Sequence, residues 1–391
     1  MSWIDIPDGS PFGPDNLPLG VFKRGDEEPR IGAAIGDQII DLTPIASAQH
    51  LDSAQQFAQP TLNGFLALGR PAWSATRAWL LDLVNDRDTV EPHLIPQSAA
   101  TMLLPFEVGD YVDFYASEQH ATNLGRLFRP DSEPLLPNWK HLPVGYHGRA
   151  GTVVASGTDI VRPSGQRKAP DADAPTYGPS TRLDIEVELG YVVGTPSTLG
   201  KPVSVDDFRE HVYGVVLVND WSARDIQGWE YVPLGPFLGK SFATSISPWV
   251  VSLDALEAST VPLPTQDPPV LPYLAGTKLV NYDITFEVRI NGHLVSTPPY
   301  RDIYWSPAQM LAHMTVNGAS VRTGDLYASG TVSGTEPDQL GSLIELTKAG
   351  REPITVDGKD YTFLQDGDEV SITARAGTLH LGEVTGRIIP G

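Results

Sequence analysis

Hydrophobic and polar positions alternate over short spans along most of this chain, and the spacing turns helical in only two places. Between residues 19 and 42, the runs Gly20-Val-Phe22, Ile31-Gly-Ala-Ala-Ile35 and Gln38-Ile-Ile-Asp-Leu42 predict a small antiparallel sheet, with Gly36-Asp37 as a turn. Pro71 opens a stretch to residue 85 in which Trp79, Leu80, Leu83 and Val84 recur at helical intervals, so a helix with those residues in the core is expected. After residue 150 the pattern is strand-like at 151–156, 183–193, 212–219, 281–290 and 369–373, with one helical stretch from Ser306 to Met314. Strands without regular βαβ alternation argue for a large, mostly antiparallel β domain rather than a doubly wound nucleotide-binding sheet. Between them, residues 111 to 148 are polar, aromatic and aperiodic, which reads as a long functional loop. Character changes near residue 105, so the expected division is 1–105 and 106–391.

Composition narrows the class. The 37 Gly and 35 Pro of the 391 residues are spread along the chain, in keeping with many short strands and tight turns. A hydrophobic share of 41% is that of a globular protein. Lys and Arg total 27 against 48 Asp and Glu, a formal charge of −21 that argues against nucleic acid and anionic membranes as partners. The chain has no cysteine, which removes disulfides, thiolate metal sites and thiol nucleophiles. The opening Met1-Ser-Trp-Ile-Asp-Ile-Pro7 lacks the basic and apolar regions of a secretory leader, and no apolar run approaches the roughly 20 residues of a membrane helix. A cytoplasmic protein is the expectation.

The chemistry-bearing residues are acidic. Glu186 and Glu188 lie in Leu183-Asp-Ile-Glu-Val-Glu-Leu189, and Asp220 closes Gly214-Val-Val-Leu-Val-Asn-Asp220. Carboxylates on apolar strands are costly unless something positive meets them. Residues two apart on a strand face one side roughly 7 Å apart, so one ion can meet Glu186 and Glu188 together. Asp184 shares that face by the same rule but reads as a turn or surface residue, and Asp113 is a fourth candidate. Four carboxylates make an all-oxygen site suited to Mg²⁺ or Ca²⁺. The competing reading is a solvated acidic strand edge, because Ile185, Val187 and Leu189 give the alternation of a half-exposed strand. His120 is a candidate general base, Arg129 a candidate carboxylate grip, and Lys240 a cation whose apolar setting calls for an anionic partner. Gly235-Pro-Phe-Leu-Gly-Lys-Ser241 has one residue too few between its glycines for a phosphate-binding loop, and no dinucleotide, serine-hydrolase or zinc-protease motif occurs.

Several segments resemble the fumarylacetoacetase family. They are Asp113-Phe-Tyr-Ala-Ser-Glu-Gln-His-Ala-Thr-Asn123, Leu136-Pro-Asn-Trp139, Leu142-Pro-Val-Gly-Tyr-His-Gly-Arg149 and the long run Asn219 to Phe242, with Ala328-Ser-Gly-Thr331 and Asp366-Gly-Asp-Glu369 extending the likeness. The resemblance implies a mainly β (α+β) fold, with a small N-terminal SH3-like β-barrel domain and a large C-terminal mixed β-sandwich roll. It implies a metal-dependent hydrolase that cleaves the carbon–carbon bond of 4-fumarylacetoacetate in tyrosine and phenylalanine breakdown, with a related acylpyruvate or β-diketone hydrolase as the alternative. It assigns Asp113, Glu186, Glu188 and Asp220 to the divalent ion, Mg²⁺ or Ca²⁺, with Lys240 and Thr244 completing the ion's surroundings. His120 becomes the base, oriented by Glu345; Lys240 and Gln227 stabilise the leaving carbanion. Tyr115, Arg129, Tyr146, Gln227, Tyr231 and Thr331 would contact a diketo-acid substrate. A homodimer is the state the resemblance carries.

Overall fold

The computed structural model describes residues 3, 4, 6 and 10–391, so the opening segment read for a leader falls largely outside them. The expected N-terminal strands form at Leu19–Lys23, Arg30–Ile35 and Gln38–Asp41, antiparallel with Leu19 opposite Ala33 and Ala34 opposite Ile39. Gly36, at φ 58°, makes the turn in the left-handed region that a side chain disfavours. The helix expected after Pro71 spans Arg70–Leu83; Leu80 and Leu83 are buried and Trp79 is half-buried.

These strands do not close into the SH3-like barrel expected from the resemblance. Leu19 and Gly20 pair instead with Val250 and Trp249, so the N-terminal strands extend a thirteen-stranded sheet reaching deep into the rest of the chain. A barrel removes its edges by closing on itself, whereas this edge is satisfied by another strand. The mixed α+β, mostly sheet architecture is as expected.

The centre of the large sheet is Val187–Val193 against Val212–Asn219, antiparallel with Val187 opposite Asn219 and Leu189 opposite Leu217. Both strands are buried along their whole length. Leu326–Ala328 pairs with the far side of Val187–Val193, and Tyr111–Phe114 runs parallel beside it, setting Asp113 opposite Ala328. A five-stranded sheet built on the hairpin Glu369–Ala376 and Leu379–Ile389 covers one face. Phe286, Ile372 and Val384 from that sheet share an apolar cluster with Leu189, Val215 and Leu217. Each such buried side chain contributes roughly 1.5–3 kcal/mol relative to exposure. That core is rigid enough to hold charged groups at fixed separations on its strand ends.

Candidate metal and acid–base centre

Four carboxylates gather where the central strands end. Glu186 lies in a break between the short strand Leu183–Asp184 and Val187–Val193, and the Asp220 amide donates to the Glu186 carbonyl at 3.1 Å. The Asn219 side chain accepts from the Glu186 amide at 3.3 Å, which pins the two acidic residues together. Glu188 points from the strand itself, and Asp113 arrives from the neighbouring parallel strand. One oxygen from each of Asp113, Glu186, Glu188 and Asp220 lies within 4.8 Å of the others, and all four residues are buried. The half-exposed strand edge is therefore not what forms, because both faces of Val187–Val193 are covered.

Three cations meet this cluster. Lys240 Nζ donates to Asp220 Oδ2 at 2.7 Å and also to Glu186 Oε2. Arg224 Nη1 donates to Glu186 Oε1 at 2.7 Å, and Arg149 bonds Asp220 and Asp113. Burial opposes ionisation of Glu186, but Lys240 and then Arg224 outweigh it and hold its carboxyl below the usual range. Asp220 is likewise held down against burial by Arg149 and Lys240. Glu188 forms no ion pair among the described residues, and the lowering effect of Lys240 is outweighed. Burial, then Asp113, Asp220 and Glu186, pushes its carboxyl well up, and neither of its buried oxygens has a hydrogen-bond partner. Asp113 is pushed up to about 7, by burial first and Asp220 next. Two orphaned carboxylate oxygens among three further acidic groups fit a hard divalent cation, which would supply the missing positive charge.

The candidate base comes from a segment that sequence reasoning took for a loop. Glu118–Phe128 is a helix, started by Ser117, whose hydroxyl accepts from the His120 amide at 3.2 Å. His120 Nδ1 lies 2.7 Å from Glu345 Oε2, with both residues buried. Ser333 and Ser342 hydroxyls donate to that same oxygen at 2.9 and 2.7 Å, and Asn123 donates to Oε1 at 2.9 Å. Burial disfavours the Glu345 anion, but His120 and these donors hold its carboxyl below the usual range. An ionised carboxylate only accepts, so Nδ1 of His120 carries the shared proton and Nε2 is left as the basic nitrogen. His120 also helps to hold down Glu186, which places the base beside the carboxylate cluster.

The remaining expected residues fall into place unevenly. Tyr115 packs edge-on to His120, ring centroids 5.4 Å apart, and Tyr146 donates to Asp113 Oδ2 at 2.9 Å. Gln227 Oε1 accepts from Arg224 at 3.2 Å, and Tyr231 is half exposed at the end of the same helix, Arg224–Glu230. The Thr331 hydroxyl is buried without a partner, as a substrate contact would leave it. Among the described residues Arg129 grips no carboxylate; its Nη2 donates to the Pro134 carbonyl at 2.7 Å. Thr244 donates to Asp220 Oδ1 at 2.9 Å. Lys240 stays protonated, since Asp220 and Glu186 overcome the effect of burial. An ammonium has donors only, so its contact with the centre is through the carboxylates rather than as a ligand.

Sequence reasoning misplaced Asp184 and passed over two arginines. Asp184 is fully buried, not a surface residue. Its oxygens accept from the Leu343 and Ile344 amides at 2.7 and 3.0 Å and from Arg224 Nε at 2.8 Å, which ties Arg224 to the short helix bearing Glu345. Arg224 and Arg149 were not singled out. The available signal was electrostatic: four buried carboxylates need more than one buried cation.

Comparison with known proteins places these features. The profile described as Fumarylacetoacetate (FAA) hydrolase C-terminal matches residues 111–389, and that described as Fumarylacetoacetase N-terminal matches residues 15–105. The chain is 47% identical over 418 residues to fumarylacetoacetase of Homo sapiens, covering 100% of this chain and 99% of that protein. It is 46% identical over 413 residues to fumarylacetoacetase of Arabidopsis thaliana, covering 100% and 98%. Among solved structures, a fumarylacetoacetate hydrolase from psychrophilic Exiguobacterium antarcticum matches at TM-score 0.58 and 18% identity, over 96% of this chain and 100% of that one, a likeness of fold.

Proposed function

The chain belongs to the fumarylacetoacetate hydrolase family, and we propose that it hydrolyses the carbon–carbon bond of fumarylacetoacetate to give fumarate and acetoacetate. The observation that carries the reading is the buried His120–Glu345 pair set beside four buried carboxylates, one of them with both oxygens unpartnered.

Cleaving a diketone at carbon leaves an electron pair on the departing fragment, so the centre must both deliver water and hold negative charge. His120 Nε2 takes a proton from water, and the hydroxide adds to the carbonyl that adjoins the fumaroyl group. Glu345 stabilises the resulting imidazolium and keeps the ring in its tautomer, the part a carboxylate plays beside other catalytic histidines. The carbon–carbon bond then breaks, its electron pair stays with the acetoacetate fragment, and a proton returns to that carbon. Lys240, Arg224 and Gln227 line the side where this charge develops. A divalent ion bound by Asp113, Glu186, Glu188 and Asp220 would supply Lewis acidity and a template for the diketone oxygens. Either Mg²⁺ or Ca²⁺ suits oxygen ligands of this kind. Tyr115, Tyr146, Tyr231, Arg129 and Thr331 are the proposed substrate contacts; Thr331 is supported by its unpartnered hydroxyl. All of these residues lie in the 106–391 portion, and residues 1–105 have a structural part in the proposal.

A homodimer and a cytoplasmic location belong to the same proposal. Exposed apolar side chains at Val232, Leu234, Phe237 and Leu238 support a protein interface, and sedimentation tests it. Among the described residues no helix is long and apolar enough to cross a membrane. The function is tested by following fumarylacetoacetate consumption for the wild type, for His120→Ala and after chelation. Turnover by folded His120→Ala at the wild-type rate rejects the base assignment. Full activity in a verified metal-free sample rejects the metal centre.

A further inference from the structure

Arg149 has no part in the chemistry described above, yet it is bonded to two of the four carboxylates. Its Nη1 donates to both oxygens of Asp220, at 2.7 and 2.9 Å, and its Nη2 donates to Asp113 Oδ2 at 2.8 Å. The guanidinium carbon sits 4.9 Å from the Tyr111 ring centroid and 5.1 Å from that of Tyr146, so aromatic faces cover it. Only 5% of the side chain is exposed. The backbone at Arg149 has φ 75°, a left-handed conformation that a non-glycine residue disfavours. Lys240 forms ion pairs with Glu186 and Asp220, and Arg224 with Asp184 and Glu186, but neither pairs with Asp113. Among the described residues, Asp113 has its ion pair with Arg149 alone.

We propose that Arg149 is a positioning residue that sets how tightly the centre holds its divalent ion: it clamps Asp113 and Asp220 together and counters their charge. The proposal rests on reading the four carboxylates as a metal centre. A guanidinium and a divalent ion that share the same two aspartates repel one another across them, so the fixed cation weakens ion binding. The clamp works the other way by holding the ligands in place. Charge is the larger effect, because the guanidinium is within hydrogen-bonding distance of two ligands in a site shielded from water, where such interactions are least screened. The same cation relieves repulsion among the carboxylates once the ion has left, which keeps the ion-free chain folded. The planar fork is what spans two carboxylates, and a lysine at this position cannot reproduce it.

Full-length wild type, Arg149→Gln and Arg149→Lys are chelated and then titrated with CaCl₂, and separately with MgCl₂. Affinity is read by calorimetry and melting temperature is read with and without ion. Arg149→Gln is expected to melt several degrees below wild type without ion and to bind Ca²⁺ about tenfold more tightly, so its Ca²⁺-induced rise in melting temperature is the larger. Arg149→Lys is expected to fall between the two. A folded Arg149→Gln protein whose Ca²⁺ affinity equals or falls below that of wild type overturns the proposal, as does one that melts with wild type when chelated. A variant that is folded with Ca²⁺ and unfolded after chelation is the extreme of the expected result. If Arg149→Gln folds in neither condition, Arg149→Lys decides by the same affinity criterion. A wild type that shows no response to either ion rejects the metal reading itself, which separates that failure from failure of the Arg149 assignment.

Discussion

Replacing Glu345 by glutamine removes the charge behind His120 while keeping nearly the same shape. Glu345 Oε2 receives His120 Nδ1 at 2.7 Å together with the hydroxyls of Ser333 and Ser342, and Oε1 receives Asn123 at 2.9 Å. In Glu345→Gln the amide oxygen can serve only one of these two sets of donors. If it stays with His120, the new NH₂ faces the Asn123 NH₂, and a buried donor left unsatisfied costs about 1–3 kcal/mol of stability. The effect on turnover comes from the imidazolium that forms when water is deprotonated. Two unit charges about 4 Å apart at an effective dielectric near 20 interact by about 4 kcal/mol, which corresponds to about a thousandfold in rate. The assay is loss of fumarylacetoacetate at saturating substrate, with bound metal and melting temperature measured on the same preparation. The expected outcome is a kcat on the order of a thousandfold lower, KM and metal content little changed, and melting a few degrees lower. A folded, metal-loaded Glu345→Gln enzyme within about tenfold of the wild-type kcat refutes the assignment, because a merely packed carboxylate would behave that way.

Three further outcomes follow from the charges. Glu188→Gln removes a buried carboxylate with two unpartnered oxygens, so the chelated variant is expected to melt no lower than wild type while its Ca²⁺-induced rise disappears; a retained rise contradicts the ligand assignment. Protons compete with the ion for Asp113, pushed up to about 7 chiefly by burial, and for Glu188, which burial also raises well above the usual carboxylate range; Ca²⁺ affinity should therefore climb about tenfold or more between pH 6 and pH 8, and calorimetry showing a flat profile counts against it. His380, which is not among the residues of the centre, is pushed from 6.5 down to about 4 by burial and then by Arg375. A depressed histidine value means that its contribution is full above pH 6.5 and is lost as pH falls toward 4. The loss is about 1–2 kcal/mol after allowing for partial exposure. His380→Gln should flatten that part of the melting-versus-pH curve, and an unchanged slope removes His380 as its source.

What was legible in the sequence is what depends on near neighbours. The strand at Val212–Asn219 shows itself as an unbroken apolar run, and the acidic residue after it stands at a strand end because the run stops there. The period-two rule brought Glu186 and Glu188 to one site, but it also put Asp184 with them. The structure separates Asp184, because the ladder breaks after Asp184 and resumes at Val187. The helix Glu118–Phe128 was hidden for a different reason. Its buried residues are few, His120, Ala121 and Gly125, so no apolar stripe announces it. Gly125 has the Pro134 carbonyl where a Cβ would stand, so the helix is seated by a close backbone approach and by its Ser117 cap. Neither leaves a periodic trace.

The cations were the least legible part, and the reason is general. Arg149 finds Asp113 at a separation of 36 residues and Asp220 at 71, and Arg224 finds Asp184 and Glu186 at 40 and 38. No local rule links such positions; only the fold decides which cation reaches which anion. The energetic argument that flagged the acidic residues can nonetheless be carried one step further. Once several carboxylates are inferred to be buried together, a single lysine and an absent ion cannot keep a folded chain from the repulsion among them. Further buried cations are then required, and arginine is the natural choice where one group must hold two carboxylates at once. An arginine close to aromatic or apolar residues, as in Gly145-Tyr-His-Gly-Arg149 or Trp221-Ser-Ala-Arg224, becomes the first place to look. On that reasoning Arg149 and Arg224 are demanded by the same imbalance that first drew attention to Glu186, Glu188 and Asp220.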